Sequence, residues 1–158
     1  MIRIGHSTDI HQLASGSEII IGGIKIPSSY RSVGHSDADC LLHAIAESLL
    51  GALALGDLGS WFPDNDDQYK GIDSSILLER VVQEIHNRGF FVNNIDCMVF
   101  LQEPKLRPYI DLMREKIANI LQVETSLVSV KATTGENVGI VGNKEAIVAS
   151  STVLLKSK

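Results

Sequence analysis

The apolar positions change their spacing several times along the chain, and each change marks out an element. Residues 2–6 read as a strand, and EIIIGGIKIP (18–27) as a hairpin-like pair turning at Gly22 and Gly23. HSDADCLLHAIAESLLGALALG (35–56) has the apolar density of a long, mostly buried helix. Ser36 suits its N-cap and Asp39 its third helical position, a capping-box arrangement. DLGSWFPDNDDQYKG (57–71) breaks the pattern with turn formers and reads as loop. A second helix is predicted at about 73–88, with Leu77, Leu78, Val81 and Ile85 on one face. NIDCMVFLQ (94–102) is strand-like, and PYIDLMREKIANIL (108–121) is helical, with Ile110, Met113, Ile117, Ile120 and Leu121 inward. SLVSVKATT (126–134) and EAIVASSTVLLK (145–156) close the chain as strands.

The order β, ββ, α, α, β, α, β, β predicts an α/β (α+β) fold: a mixed sheet with helices on one face, in a ferredoxin-like arrangement. One domain over residues 1–158 is expected from the length. The second sheet face must then be solvated or covered by another subunit. The many Val and Ile residues in the strands favour an oligomer.

Composition narrows the function. With 44% hydrophobic and 21% charged residues the chain has the balance of an ordinary globular protein. A net charge of −5 argues against a nucleic-acid partner, which would call for clustered Lys and Arg. It leaves room for a small anionic ligand, because local donors and metals override net charge. Cys40 and Cys97 form no C-x-x-C pair and read as buried thiols in a reducing compartment. No secretory leader opens the sequence and LLGALALG is too short to span a bilayer, so no membrane partner is expected and the default location is the cytoplasm.

Four stretches carry candidate chemistry. In STDIHQL, Asp9 and His11 stand two apart and would share one face of a strand. His43, four residues after Asp39 on the long helix, supplies a possible third ligand, with Asp39 or Cys40 as rivals. Two histidines and one carboxylate with an open position make the ligand set of a catalytic zinc. KATTGENVG (131–139) offers hydroxyls, backbone N–H groups and Glu136 at a strand end. That suits phosphate oxygens and a hard cation such as Mg²⁺, although a plain glycine turn is the commoner reading. Asp57 in DLGSWFPDND could meet sugar hydroxyls or simply face water. QEPKLRP (102–108) carries Lys105 and Arg107 between prolines, as a ligand loop or as a strand-to-helix connection.

Taken together, RIGHSTDIH, IIIGGIKIP, HSDADCLLHA, LGALALGDLGSWFPD, KGIDSS, QEPKL and VKATTGENVG resemble the 2-C-methyl-D-erythritol 2,4-cyclodiphosphate synthases of the non-mevalonate isoprenoid pathway, nearly end to end. D-x-H, HSDxDxxxHA, GDxGxxFPD and KATT fall in that family's order and spacing. The resemblance implies a homotrimer with active sites shared between neighbouring chains. The lack of a recognisable targeting segment favours a bacterial cytoplasm over a plastid. It implies zinc on Asp9, His11 and His43, with Asp39 a helix-start or supporting residue and Cys40 a packing residue. Glu136 would hold Mg²⁺ or Mn²⁺ against the substrate diphosphate. His35 and Thr134 match the family's transition-state stabilisers, and Ser36 adjoins that phosphate region. Asp57, Leu58, Gly59, Phe62, Pro63, Asp64, Asn65 and Asp66 match the segments that hold the methylerythritol portion. Leu101, Gln102, Glu103, Pro104, Lys105, Leu106 and Arg107, with Thr133, Gly135 and Glu136, match the cytidine diphosphate pocket. The implied reaction is intramolecular phosphoryl transfer, in which the substrate's 2-phosphate attacks its own β-phosphorus and expels CMP.

The chain departs from the family pattern at Leu101, where a small residue is usual, and in GIVGNKEA, where many members read GFTGRGEG. Ile140 stands for a phenylalanine, and Asn143 with Lys144 for Arg-Gly, in a region that lines the trimer's central cavity. Weak or absent isoprenoid diphosphate binding is therefore expected. Two rival functions share the same ligands: a zinc phosphohydrolase and a non-catalytic nucleotide- or zinc-binding module.

Overall fold

The computed structural model covers residues 1–158. Its first strand, β1 (Ile2–Ser15), runs well past the five residues predicted, so that Asp9 and His11 lie inside a strand. Residues Gly5, Ser7, Asp9, His11 and Leu13 face one side, and Ile2, Ile4, His6, Thr8 and Ile10 the other. The hairpin β2 (Glu18–Ile21) and β3 (Ile24–Pro27) forms a separate two-stranded sheet turning at Gly22 and Gly23, both at positive φ. A short strand, β4 (Tyr30–Ser32), escaped the sequence reading and pairs with the end of β1.

Helix α1 (Cys40–Ala52) is shorter than the 35–56 span predicted, and its N-cap is Asp39 rather than Ser36. The causes are local: Ala38 before the helix and Ala54 after it are left-handed, with φ 59° and 55°, which a continuing helix cannot accept. The loop predicted at 57–71 holds two small helical turns, α2 (Leu58–Trp61), capped by Asp57, and a 3₁₀ turn, Asp67–Tyr69, capped by Asp66. Helix α3 (Ser74–Asn87) matches its prediction closely, with Asp73 as N-cap and Leu77, Leu78, Val81 and Ile85 buried. Strand β5 (Phe90–Phe100) leads through a 3₁₀ turn, Arg107–Tyr109, into α4 (Ile110–Leu121). Strand β6 (Val128–Thr133), the unpredicted four-residue α5 (Gly139–Gly142) and β7 (Ala146–Ser157) complete the chain.

The main sheet has the order β4-β1-β7-β5-β6, antiparallel except for the parallel β5–β6 pair. This is the mixed sheet that was expected. The ferredoxin-like arrangement is met only in its layering, because β7, last in the chain, inserts between β1 and β5. Helices α1, α3 and α4 pack on one face over a cluster of 36 buried residues. The opposite face is open: Ile2, Ile4 and Ile10 are 70%, 69% and 52% exposed. No helix is long and apolar enough to cross a membrane.

Candidate metal centre and substrate clefts

Strand alternation and helix periodicity deliver three ligand atoms to one point. Asp9 and His11 project from β1 toward α1, and His43 comes down from the first turn of that helix. His11 Nε2 lies 3.1 Å and His43 Nδ1 3.5 Å from Asp9 Oδ2, and the donor atoms lie within 4.8 Å of one another. The two imidazoles meet edge-on, 5.1 Å between centroids. Asp9 Oδ1 accepts from the Ile10 N–H, while Asp9 Oδ2 is buried and accepts no hydrogen bond. An orphaned carboxylate oxygen facing two imidazole nitrogens fits a divalent cation of the zinc type.

The electrostatics agree with that fit. Burial works to raise the Asp9 carboxyl, but the imidazoles of His11 and His43 outweigh it and hold the group far below the usual carboxylate range. Burial likewise works to lower His11, and the Asp9 carboxylate reverses it, so His11 holds its proton to higher pH than usual.

The rivals of His43 are occupied elsewhere. Asp39 is wholly buried and accepts from the N–H groups of Leu42, Gly22 and Gly23, at 3.0, 2.9 and 2.7 Å, clamping the β2–β3 turn onto the start of α1. Burial pushes its carboxyl up to about 6. Cys40 is buried against the carbonyls of Asp9 and Ile147, and burial drives its thiol upward, away from a thiolate ligand.

A cleft of about 360 Å³ opens over the triad. Of the residues singled out from sequence, His35, Ser36, Leu58, Gly59, Phe62 and Asp64 line it alongside Asp9, His11 and His43. His35 is held by a hydrogen bond from Nε2 to the Asp66 carbonyl at 3.2 Å. Asp57 caps α2 through Oδ1 alone, and Pro63, Asn65 and Asp66 form the outer loop. The sequence reading missed Glu47, Tyr69 and Ile72, which also line the cleft. Glu47 was open to discovery, since it stands one helical turn beyond His43. Its carboxylate accepts from Ser7 Oγ and the Leu58 N–H, tying α1 to β1 and α2.

Eight of the remaining predicted residues gather in a second cleft of about 720 Å³: Leu101, Gln102, Pro104, Lys105, Leu106, Arg107, Thr133 and Thr134. Gln102 Oε1 accepts from the Gly135 N–H at 3.1 Å, joining the QEPKLRP loop to the KATTGENVG turn. Glu136, exposed and at positive φ, bonds through its N–H to Thr134 Oγ1 at 3.2 Å. Glu103 turns away to pair with Lys144 at 3.2 Å, while Ile140 and Asn143 are exposed on and just after α5.

The two clefts share no residue. Strand register explains the separation. Asp9, Ala149, Val99 and Ala132 form one row across β1, β7, β5 and β6. Three strand spacings, about 14 Å, therefore divide the triad from the Thr134 turn within one chain.

Comparison with known proteins agrees over the full length. Residues 2–156 match the YgbB family. The chain is 49% identical over 156 residues to the 2-C-methyl-D-erythritol 2,4-cyclodiphosphate synthase of Carboxydothermus hydrogenoformans, covering 99% of this chain and 96% of the relative. It is 51% identical over 154 residues to the same-named protein of Nostoc punctiforme, covering 98% and 96%. Among solved structures, the bifunctional IspDF of Campylobacter jejuni superposes with a TM-score of 0.95 at 34% identity, over the whole of this chain and 43% of that one. A CDP complex of Plasmodium falciparum IspF superposes with a TM-score of 0.87 at 33% identity, over 99% and 97%. With fold, ligand geometry and sequence in agreement along the chain, the protein belongs to the YgbB family.

Proposed function

We infer that the protein is a phosphorus–oxygen lyase that converts 4-diphosphocytidyl-2-C-methyl-D-erythritol 2-phosphate to 2-C-methyl-D-erythritol 2,4-cyclodiphosphate and CMP, in non-mevalonate isoprenoid precursor biosynthesis. The observation that carries this reading is the Asp9–His11–His43 convergence under a cleft walled by HSDADCLLHA and GDLGSWFPD, in a chain about half identical to synthases along its length.

The chemistry follows from the substrate. Its 2-phosphate oxygen attacks the β-phosphorus, the bond from that phosphorus to the oxygen bridging the α-phosphorus breaks, and CMP departs with that oxygen. No protein nucleophile is needed; the protein has to fold an anionic chain on itself and offset the charge. Asp9, His11 and His43 would hold zinc, and Glu136 a Mg²⁺ or Mn²⁺ ion, supplying Lewis-acid polarisation and charge neutralisation at the phosphates. His35 and Thr134 donate hydrogen bonds to phosphoryl oxygens as charge develops, with Ser36 beside them. Asp57, Gly59 and the Phe62–Asp66 loop bind the methylerythritol hydroxyls. The Leu101–Arg107 loop and Thr133–Glu136 bind the cytidine diphosphate, with Lys105 at the base. Leu101 is buried and lines that pocket.

Because His35 and Thr134 must reach one diphosphate while their clefts lie about three strands apart in one chain, the working site combines the first cleft of one copy with the second cleft of its neighbour. A homotrimer built on the open sheet face satisfies both requirements, burying Ile2, Ile4 and Ile10.

The test is phosphorus NMR of the protein with this substrate and Mg²⁺, with and without a zinc chelator. CMP and two coupled cyclic diphosphate resonances, lost on chelation, are expected. CMP with a linear bisphosphate would replace this reading with a hydrolase, and an unchanged substrate spectrum with a binding module.

A further inference from the structure

His43 must present a bare Nδ1 to the triad, and a neutral imidazole has two tautomers of which only one does so. What selects it lies outside the triad. His43 Nε2 is 2.8 Å from Ser74 Oγ and 3.0 Å from Ser36 Oγ. Ser74, the first residue of α3 and 1% exposed, donates its hydroxyl proton to Asp37 Oδ1. The carboxylate that receives this proton cannot swing away, because its Oδ1 also accepts from the Asp39 N–H at 3.1 Å and its Oδ2 from the Ser74 N–H at 3.0 Å. An ionised carboxylate only accepts, so the Ser74 proton is committed and its oxygen faces Nε2 as an acceptor.

We propose that Asp37, acting through Ser74, is a positioning residue that fixes His43 as the Nε2–H tautomer and so aims the Nδ1 lone pair at the metal position. This rests on the metal-site reading above and names residues outside the triad. Two competitors make the relay consequential. Asp9 Oδ2, 3.5 Å from Nδ1, would draw the proton to the wrong nitrogen, but the 2.8 Å contact to Ser74 is much the better hydrogen bond. Ser36 accepts from the Ala38 N–H at 3.2 Å and keeps its own proton free, so it can donate to Nε2 and favour the wrong tautomer. His11 is set in parallel and more simply: its Nδ1 donates at 2.8 Å to the Ala38 carbonyl, which only accepts, leaving Nε2 for the metal. The residues from 36 to 38 thus bear on both imidazoles, and supporting contacts of this kind raise metal affinity by about 10–100-fold.

The measurement is long-range ¹⁵N–¹H correlation NMR of the metal-free protein at mildly alkaline pH, combined with zinc affinity by competition against a chromophoric chelator. Wild type should show His43 with a protonated Nε2 and a bare Nδ1. Ser74→Ala should shift His43 toward the Nδ1–H form and weaken zinc binding about 10–100-fold, while Ser74→Thr keeps both properties. A wild-type His43 protonated at Nδ1 would overturn the relay, whatever the variants do. So would a folded Ser74→Ala protein with unchanged tautomer and affinity. The Nε2–H tautomer, lost in Ser74→Ala, in a wild type that binds no zinc would uphold the relay and overturn the metal-site reading instead.

Discussion

At the scale of single residues, Asp9 and His11 have had their proton affinities moved in opposite directions by their mutual contact. The folded His11 value is raised above its ordinary 6.5, so the stability it contributes is fully present below that value and is lost as pH rises through the raised one. The folded Asp9 value is depressed below 3.8, so its contribution is present above that pH and is lost only in strong acid. Metal-free protein should therefore lose stability as pH rises past the ordinary histidine range. Zinc-loaded protein should not, since the cation replaces the proton between Asp9 and His11. Urea denaturation of chelated and zinc-loaded samples across pH 6 to 9 checks this. Metal-free stability that rises with pH over that window would contradict the pairing of Asp9 with His11.

At the scale of elements, the site depends on how closely α1 lies against β1. A Cβ placed on Gly5 would stand 1.9 Å from the Ser48 carbonyl oxygen and 2.9 Å from the Ala52 side chain, so no side chain but hydrogen fits there. Gly5→Ala must push α1 off β1, which carries His43 away from Asp9 and His11. We expect a loss of about 3 kcal/mol together with weaker zinc binding. Gly51, on the exposed side of the same helix, meets nothing within 4 Å. Gly51→Ala should therefore stabilise by up to about 1 kcal/mol through helix propensity and leave zinc affinity alone. Chemical denaturation and chelator competition on both variants separate a packing effect from a general helix effect. Equal behaviour of the two would show that the α1–β1 contact does not set the triad. The tie at the other end of α1, Asp39 on the Gly22–Gly23 turn, explains why a residue that resembled a metal ligand by spacing is a clamp instead.

At the scale of the whole molecule, the proposed function makes the two separate clefts on one chain halves of a site that a neighbouring copy completes. His35→Ala and Thr134→Ala subunits, each inactive alone, should regain activity when unfolded together and reassembled. In mixed oligomers some sites draw His35 from one subunit and Thr134 from the other; random mixing makes this about a quarter of all sites. Activity measured on the remixed sample, against each variant refolded alone, tests the sharing directly. No recovery from well-formed mixed oligomers would place both residues in one chain's site.

Much of this was legible in advance, and the reasons differ by element. Helix α3 shows its apolar stripe because it has one buried and one wet face. Helix α1 is buried almost all round, so its apolar run says nothing of where it stops, and its first turn was misplaced. Its start is set by a left-handed Ala38 and its stop by a left-handed Ala54, a residue type that gives no such signal. The sequence alone determined the chemistry on offer: D-x-H on one strand face, a histidine on a buried helix, and phosphate-compatible loops at strand ends. These are local facts of residue type and period. Only the tertiary structure decided which carboxylate joins the histidines, which hydroxyl and carbonyl orient their rings, and that His35 and Thr134 sit on separate clefts. Each of those depends on strand order and on contacts between residues as far apart as Asp37 and Ser74, and no local period encodes how a last strand slips between β1 and β5.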